Sequence, residues 1–489
     1  MTESVEGSNE KSKFDRVLSR WDVIMIALGA MIGWGWVVSS GSWIETGGVV
    51  GAMIGFAAGG LMVFFVGLTY AELTFAMPKC GGEHVFAMRA FGPWGSYICT
   101  MAIVLGYVGV ACFESCTIPM CISYIWPGFM QGYLYTIAGY DVYATQIIVA
   151  VAVGLFITYL NIRGVKQAAI FQTLMTVIIV GVGIFMIASG FIAGDADVAA
   201  SHLFSSDDTG LAIKGTMTVM MLTPFFFIGF DVIPQTAEEI NVPFRKIGKI
   251  MVISILVAVL FYMAIILSIG LLMTDSQITT SIAETGLVSA DAIKLAFNSD
   301  ALANVVLLGG LCGVITSWNS FLLGGSRSMY SLANSNMIPH VFSKIHEKHK
   351  TPVYTLMLIG FLTLLAPFLG RQALTWLVDV ANMGCCVAYF IVALAFLKLR
   401  KSEPDMPRPY KVRHSKIIGV LAVIMSGFMV VMYIIPNTGA TLVSQEWAII
   451  IGWMVLAVFF AIYSKHKYGD MFGREGDPFE DKPAEAPQE

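Results

Sequence analysis

Charge is scarce in this chain. Of its 489 residues, 13% are Asp, Glu, Lys or Arg and 57% are hydrophobic. Soluble domains carry about 25% charge. A soluble globule of this composition could not cover its surface with polar groups. No basic stretch is interleaved with aromatics, so no nucleic-acid partner is expected. The 8 cysteines lack zinc spacing with nearby histidines. Seven of them (Cys99, Cys112, Cys116, Cys121, Cys312, Cys385 and Cys386) fall in apolar runs, where thiols act as small hydrophobes. Neither a metal site nor a disulfide framework is expected. There is no Gly-x-x-x-x-Gly-Lys-Ser/Thr sequence and no other cofactor signature, so no cofactor is expected. The apolar runs hold no paired histidines and no Ser/His/Asp set, and the 7 histidines are assigned to loops. That argues against an enzyme. No cleavage site follows the first apolar stretch, which is too long for a signal-peptide core.

What the chain does have is long apolar runs. Stretches long enough to span a bilayer fall at 21–47, 49–76, 92–125, 134–160, 166–192, 211–239, 248–273, 301–332, 353–369, 373–399, 417–435 and 446–464. Pro119 predicts a kink or tilt in the third. Lys and Arg concentrate on the inner side of membrane proteins. With the N-terminus inside, Lys214, Lys294 and Arg371 alone fall outside, and the other 26 of 29 fall inside. The chain is therefore read as a multi-pass cell-membrane protein in the lipid bilayer, with both termini cytoplasmic. Residues 1–20 form a cytoplasmic segment, 21–399 a ten-helix core, 400–464 a cytoplasmic loop with helices 11 and 12, and 465–489 a disordered cytoplasmic tail.

Two of these helices carry breaks. The first contains Gly29-Ala30-Met31-Ile32-Gly33-Trp34-Gly35, and three glycines in seven residues loosen the backbone. The sixth contains Pro224 and Gly229, with Asp231 placed to cap a resumed helix. Helices 1 and 6 correspond in a five-plus-five inverted repeat, and paired interruptions there point to a transporter site. A broken helix exposes N–H groups that attract a carboxylate and C=O groups that attract an ammonium. An α-amino acid carries both. The competing reading of such glycines is close helix packing.

Around these breaks the chain resembles the amino acid–polyamine–organocation transporter superfamily, from about Arg20 to Tyr410. The motifs that carry the resemblance run in order. They are Gly29-x-x-x-Gly33-x-Gly35; Tyr70-Ala71-Glu72-Leu73 with Pro78 and Gly81-Gly82-Glu83; Phe91-Gly92-Pro93; Asn161-x-Arg163-Gly164-Val165-Lys166; Phe227-Ile228-Gly229-Phe230-Asp231; Ala237-Glu238-Glu239 with Asn241 and Pro243; and Arg408-Pro409-Tyr410-Lys411. The resemblance implies an all-α integral membrane fold of 12 transmembrane helices. These form a five-plus-five inverted repeat with broken helices 1 and 6, plus two appended helices. It also implies alternating access. Met31, Ile32, Gly33, Trp34 and Gly35 would line the solute on one side, with N–H groups of Gly33, Trp34 and Gly35 taking a carboxylate. Carbonyls of Phe226, Phe227 and Ile228 would take an amine beside Gly229, and Phe225 would gate the site. The chain departs from the family at His84, where Tyr is frequent, and at Trp34, where Ser or Thr is frequent. The middle of helix 5 also lacks the lysine that some relatives use for proton coupling.

Ionisable groups inside the membrane are costly and are functional candidates by default. Asp231 and Glu114 are candidates for the coupling proton. The alternatives are a helix cap for Asp231 and an interhelical hydrogen bond for Glu114. Glu72 is read as structural, and Glu238 and Glu239 as ion-pair partners of Arg245 and Lys246. Thr316, Ser317, Asn319 and Ser320 form a polar patch. It is either a minor Na⁺ option or interhelical hydrogen bonding. Trp43 fits an interfacial belt. Trp34 and Trp36 could stack on a cationic headgroup, or Trp36 could face lipid. The sequence reading is a secondary active transporter for an amino acid or related amine, by proton symport or exchange. The alternatives are a permease for polyamines, ethanolamine-like or betaine-like solutes, and a membrane sensor that binds a solute without moving it.

Overall fold

The computed structural model describes residues 14–137, 139–242, 244–370, 373–438 and 440–476. Its helices, in chain order, are α1 Arg20–Met31, α2 Gly35–Ala76, α3 Glu83–Ile125, α4 Ala144–Arg163, α5 Val165–Ala193, α6 Ala196–Ala200, α7 Thr209–Phe227 and α8 Val232–Gln235. They continue as α9 Phe244–Leu272, α10 Asp275–Glu284, α11 Val288–Phe297, α12 Asp300–Asn334, α13 Val353–Thr363, α14 Ala373–Ser402, α15 Ser415–Ile434 and α16 Ser444–Tyr468. Among the described residues, ten helical segments are long and apolar enough to cross a membrane, and Val353–Leu369 is a shorter apolar helical stretch.

The chain starts α1 with a capping box. The Ser19 side chain accepts from the Asp22 N–H, and Asp22 accepts from the Ser19 N–H at 2.8 Å. Lys166 holds Asp22 at 3.0 Å, which ties α1 to α5. The 42-residue α2 is two helices in one, because Gly48 is non-helical at φ 72, ψ 172. Any side chain there would strike the backbone of Phe204. In α3 the break lies at Gly92, φ 75, ahead of Pro93. Pro119 sits inside a continuous helical stretch.

Residues 134–143, expected to begin a helix, form part of an antiparallel hairpin, β1 Tyr133–Ile137 with β2 Tyr140–Tyr143. Alternating aromatic and β-branched residues favour the pleated pairing. The hairpin marks one end of the bundle. The described chain termini mark the other. There Val17 and Leu18 N–H groups donate to the Glu239 carbonyl, and the Asn241 N–H donates to the Leu18 carbonyl. The chain remains ordered well past 465, the expected start of the tail. α16 runs to Tyr468, Gly473 N–H donates to Ser335 O at 2.9 Å, and Asn336 donates to Arg474 O at 2.9 Å. Phe472 is buried against Trp94 and Tyr97, and that apolar contact explains the docking. Residues 477–489 lie outside the described residues.

Candidate functional site

The two breaks are where the composition placed them, and they touch. α1 stops at Met31, and residues 32–34 are non-helical before α2 resumes at Gly35. α7 stops at Phe227, and residues 228–231 turn before α8. Gly229 adopts φ 140, a conformation open only to glycine at low cost. A Cβ built on Gly229 would stand 2.6 Å from Ala30 Cβ and 3.0 Å from Met31 N. The second break is therefore seated on the first.

The backbone groups at these ends are left free. The Ile32 N–H returns to Leu28 O. Among the described residues, the N–H groups of Gly33, Trp34 and Gly35 find no acceptor. Asp231 takes the Gly229 N–H at 2.8 Å, so that donor is lost to the end of α7. The carbonyls of Phe226, Phe227 and Ile228 are not engaged by any described N–H. Asp231 occupies the residue before α8 but its side chain caps nothing there. It folds back to the break and accepts from Tyr389 O–H at 3.1 Å.

Glu114 reaches the α1 break from α3. A Cβ on Gly33 would lie 3.4 Å from Glu114 Oε1 and 3.0 Å from Ser317 Cβ of α12. Glu114 Oε2 is buried with no hydrogen-bond partner. Phe225 packs edge-on against Phe113 of α3, 5.1 Å between centroids. Phe226 lies against Gly35, where a Cβ would be 2.5 Å from its ring.

The tryptophans differ from expectation. Trp43 is not interfacial. It is 1% exposed and packs 4.5 Å from Phe56 and 4.7 Å from Phe226. Trp36 is equally buried and meets Phe261 edge-on rather than facing lipid. The Trp34 ring lies on Gly310 of α12, a fit only a glycine permits.

Five further groups were not among the site residues expected from the sequence. Tyr262 O–H donates to Met31 O at 2.6 Å and so occupies the last carbonyl of α1. Glu83, Gln235 and Tyr389 form a buried polar group beside Asp231. Gln235 and Tyr389 are marked in the sequence only as polar residues inside apolar runs, whereas Glu83 closes the Gly81-Gly82-Glu83 motif. His84, assigned to a loop, is buried in α3 between Ser96 and Ser335.

The remaining polar candidates have structural partners. Asn161 donates to Asn319, Asn319 to Gln172, Gln172 to Ser320, and Ser320 to Ile26 O. Asn319 and Ser320 of the α12 patch are thus held in interhelical hydrogen bonds, whereas Thr316 donates to Gly313 O within its own helix. Glu72 pairs with Arg400 and Arg408 and accepts the Val412 N–H. Glu239 pairs with buried Arg327 at 2.9 Å; the side chains of Arg245 and Lys246, its expected partners, lie outside the described residues. Glu238 accepts the Cys80 N–H at 3.1 Å.

A cavity of about 1090 Å³ opens at the hairpin end, with Cys116 of α3, two residues from Glu114, in its wall. Its lining carries Asp141, Glu284, Asp291 and Asp300 against one lysine, Lys294. The opposite end is covered by the 14–18 segment and the Arg327–Glu239 pair.

Residues 18–460 match a family described as amino acid permease. A branched-chain amino acid permease of Bacillus subtilis is 25% identical over 478 residues, 94% of this chain and 95% of that one. A methylthioribose transporter of the same organism is 22% identical over 484 residues, 95% and 97% of the two chains. An aspartate–proton symporter, also from Bacillus subtilis, is 25% identical over 437 residues, 86% and 80%.

Proposed function

The chain belongs to the amino acid permease family, and on that premise we propose that its solute binds between the α1 break and the α7–α8 break. The chain is a secondary transporter of amino acids and not an enzyme. One observation carries the site: the two breaks abut at Gly229 with their free N–H and C=O groups around them. The N–H groups of Gly33, Trp34 and Gly35 take the carboxylate. The carbonyls of Phe226, Phe227 and Ile228 take the ammonium. Met31, Ile32 and Gly229 shape the floor, and Phe225 closes over it.

The full reading is a twelve-helix inverted repeat in the cell membrane. α1 with residues 35–47 makes the first crossing and 49–76 the second, because Gly48 divides α2. α7 with α8 makes the sixth, and Val353–Leu369 the ninth. The two further helices are α15 and α16. The hairpin end faces out and both termini face the cytoplasm.

The driving ion is a proton. A solute carboxylate at Gly33 lies beside Glu114, and two carboxylates in contact cannot both stay ionised in a dry site. Solute and proton therefore arrive together at Glu114, and Asp231 stands ready at the second break. The relative that is an aspartate–proton symporter supports coupling of this kind. A second reading rests on the same Glu114 and on the acidic hairpin-end cavity: the solute is an amine without a carboxylate. Thermal stabilisation of the purified protein by a panel of amino acids, polyamines, ethanolamine and betaines separates them, since a ligand of the folded state raises Tm. Zwitterionic amino acids are expected to stabilise. Stabilisation by carboxylate-free cations alone would replace the first reading with the second.

A further inference from the structure

We propose that Glu83 and Asp231 share one exchangeable proton in a buried polar chamber beside the α7–α8 break, and that the coupling proton leaves through this pair toward the end of the bundle bearing the termini. The inference rests on the transport reading above and adds a residue to it.

Both carboxyls are 0% exposed. Asp231 accepts from the Gly229 N–H and from Tyr389 O–H. Glu83 Oε2 accepts from Gln235 Nε2–H. Its other oxygen, Oε1, has no partner. Gln235 Oε1, Tyr70 O–H and Tyr107 O–H likewise make no well-formed hydrogen bond, although Tyr70 lies within reach of Glu83, and Tyr107 within reach of Gln235 and Asp231. Burying one polar atom without a partner costs free energy, and native interiors hold few. Here two hydroxyl donors and two acceptors lie within reach of one another with their bonds imperfectly made. Small rotations exchange their pairing, and a network of this kind accommodates a proton that comes and goes.

Charge decides the proton count. The titratable groups facing the pair are Tyr70 from α2, Cys99 and Tyr107 from α3, and Cys385 and Tyr389 from α14. None is a base. His84 follows Glu83 in the chain, but its ring is held by Ser96 and Ser335. Arg327 on α12 is committed to Glu239. Two buried carboxylates with no facing cation are prohibitive, so one proton remains between them. Position supplies the direction. Glu83 opens α3 directly after Gly81-Gly82, at the terminal end, where Cys80 O accepts from Ser331 of α12. Asp231 lies at the break itself. The pair thus joins the solute site to the end that the 14–18 segment covers.

The test uses full-length protein in liposomes, with the amino acid that most raises Tm as the labelled probe. Two quantities are read: counterflow exchange, and accumulation driven by a pH gradient. Wild type is expected to show both. Glu83→Gln is expected to lose accumulation at least tenfold while exchange persists at a reduced rate, and Glu83→Asp, which keeps a carboxyl, is expected to restore accumulation. Should Glu83→Gln fail to fold, Asp231→Asn is read in the same way. Accumulation that survives in either neutral variant overturns the shared proton. Wild type that exchanges without responding to the gradient overturns proton coupling altogether, and with it this inference. Wild type with neither activity, toward any amino acid of the panel, overturns the underlying solute assignment instead.

Discussion

Gly229→Ala probes the contact on which the site depends. Two costs add. An alanine at φ 140 is held in a region that L-residues avoid, worth about 1–3 kcal/mol. Its methyl would also stand 2.6 Å from Ala30 Cβ and 3.0 Å from the Met31 backbone nitrogen. Backbone cannot swing aside as a side chain does, and overpacking typically costs about 1–3 kcal/mol. The sum is about 4 kcal/mol at the middle of both ranges. If the strain is relieved by parting the breaks, solute affinity falls by about 700-fold, since about 1.4 kcal/mol is a factor of ten. If the breaks stay together, the cost falls on stability and Tm drops. Ligand titration by scintillation proximity, with a melting curve on each preparation, reads both. Gly181→Ala is the control: it too adds one methyl, within α5, but nothing lies within 4 Å of it. It should be neutral or slightly stabilising, by less than about 1 kcal/mol. Wild-type affinity together with wild-type Tm in Gly229→Ala would refute the abutment of the breaks.

Other outcomes follow from the same contacts. Glu114→Gln should flatten the pH dependence of solute binding; an unchanged binding profile would remove Glu114 from coupling. Arg327→Met leaves Glu239 buried without its cation and should destabilise by about 3–5 kcal/mol, with Glu239→Gln in the same chain recovering much of the loss in a melting assay. Uptake should be unchanged when Na⁺ is replaced by choline, because Asn319 and Ser320 already serve interhelical bonds; a steep Na⁺ dependence would contradict this. The Arg89 guanidinium, bonded to Glu403 at 2.7 Å, holds that carboxyl below its ordinary value of 4.5. A lowered acid stabilises the fold above its unfolded value and loses that contribution as pH falls through the folded one. The pair is solvent-screened, so Glu403→Gln should remove only a small acid-side slope in Tm below about pH 5.

Much of the architecture is legible in the residues. Apolar runs mark most of the helices, because a bilayer demands about twenty such residues for each crossing. Gly33, Gly35, Pro224 and Gly229 mark the breaks, because only such residues release the backbone. Glu72 reads as structural from its place near the end of an apolar run. Other features are not legible. Residues 134–143 look like the start of a helix by hydropathy alone, yet belong to a hairpin, since short aromatic runs suit either form. Trp43 has the composition of an interfacial residue, and only packing against Phe56 and Phe226 puts it inside. Glu239 has basic neighbours in sequence but finds Arg327, 88 positions away.

The sequence by itself determined that this chain lives in a bilayer, that two helices are interrupted, and that buried acids attend them. Those properties are local: they depend on residue type and on spacing within one helix. The tertiary structure decided that Gly229 rests on Met31, that Glu114 faces Gly33, and that Glu83 meets Gln235. Those are meetings between distant helices, set by which small residues let backbones close and which polar atoms must find partners away from water.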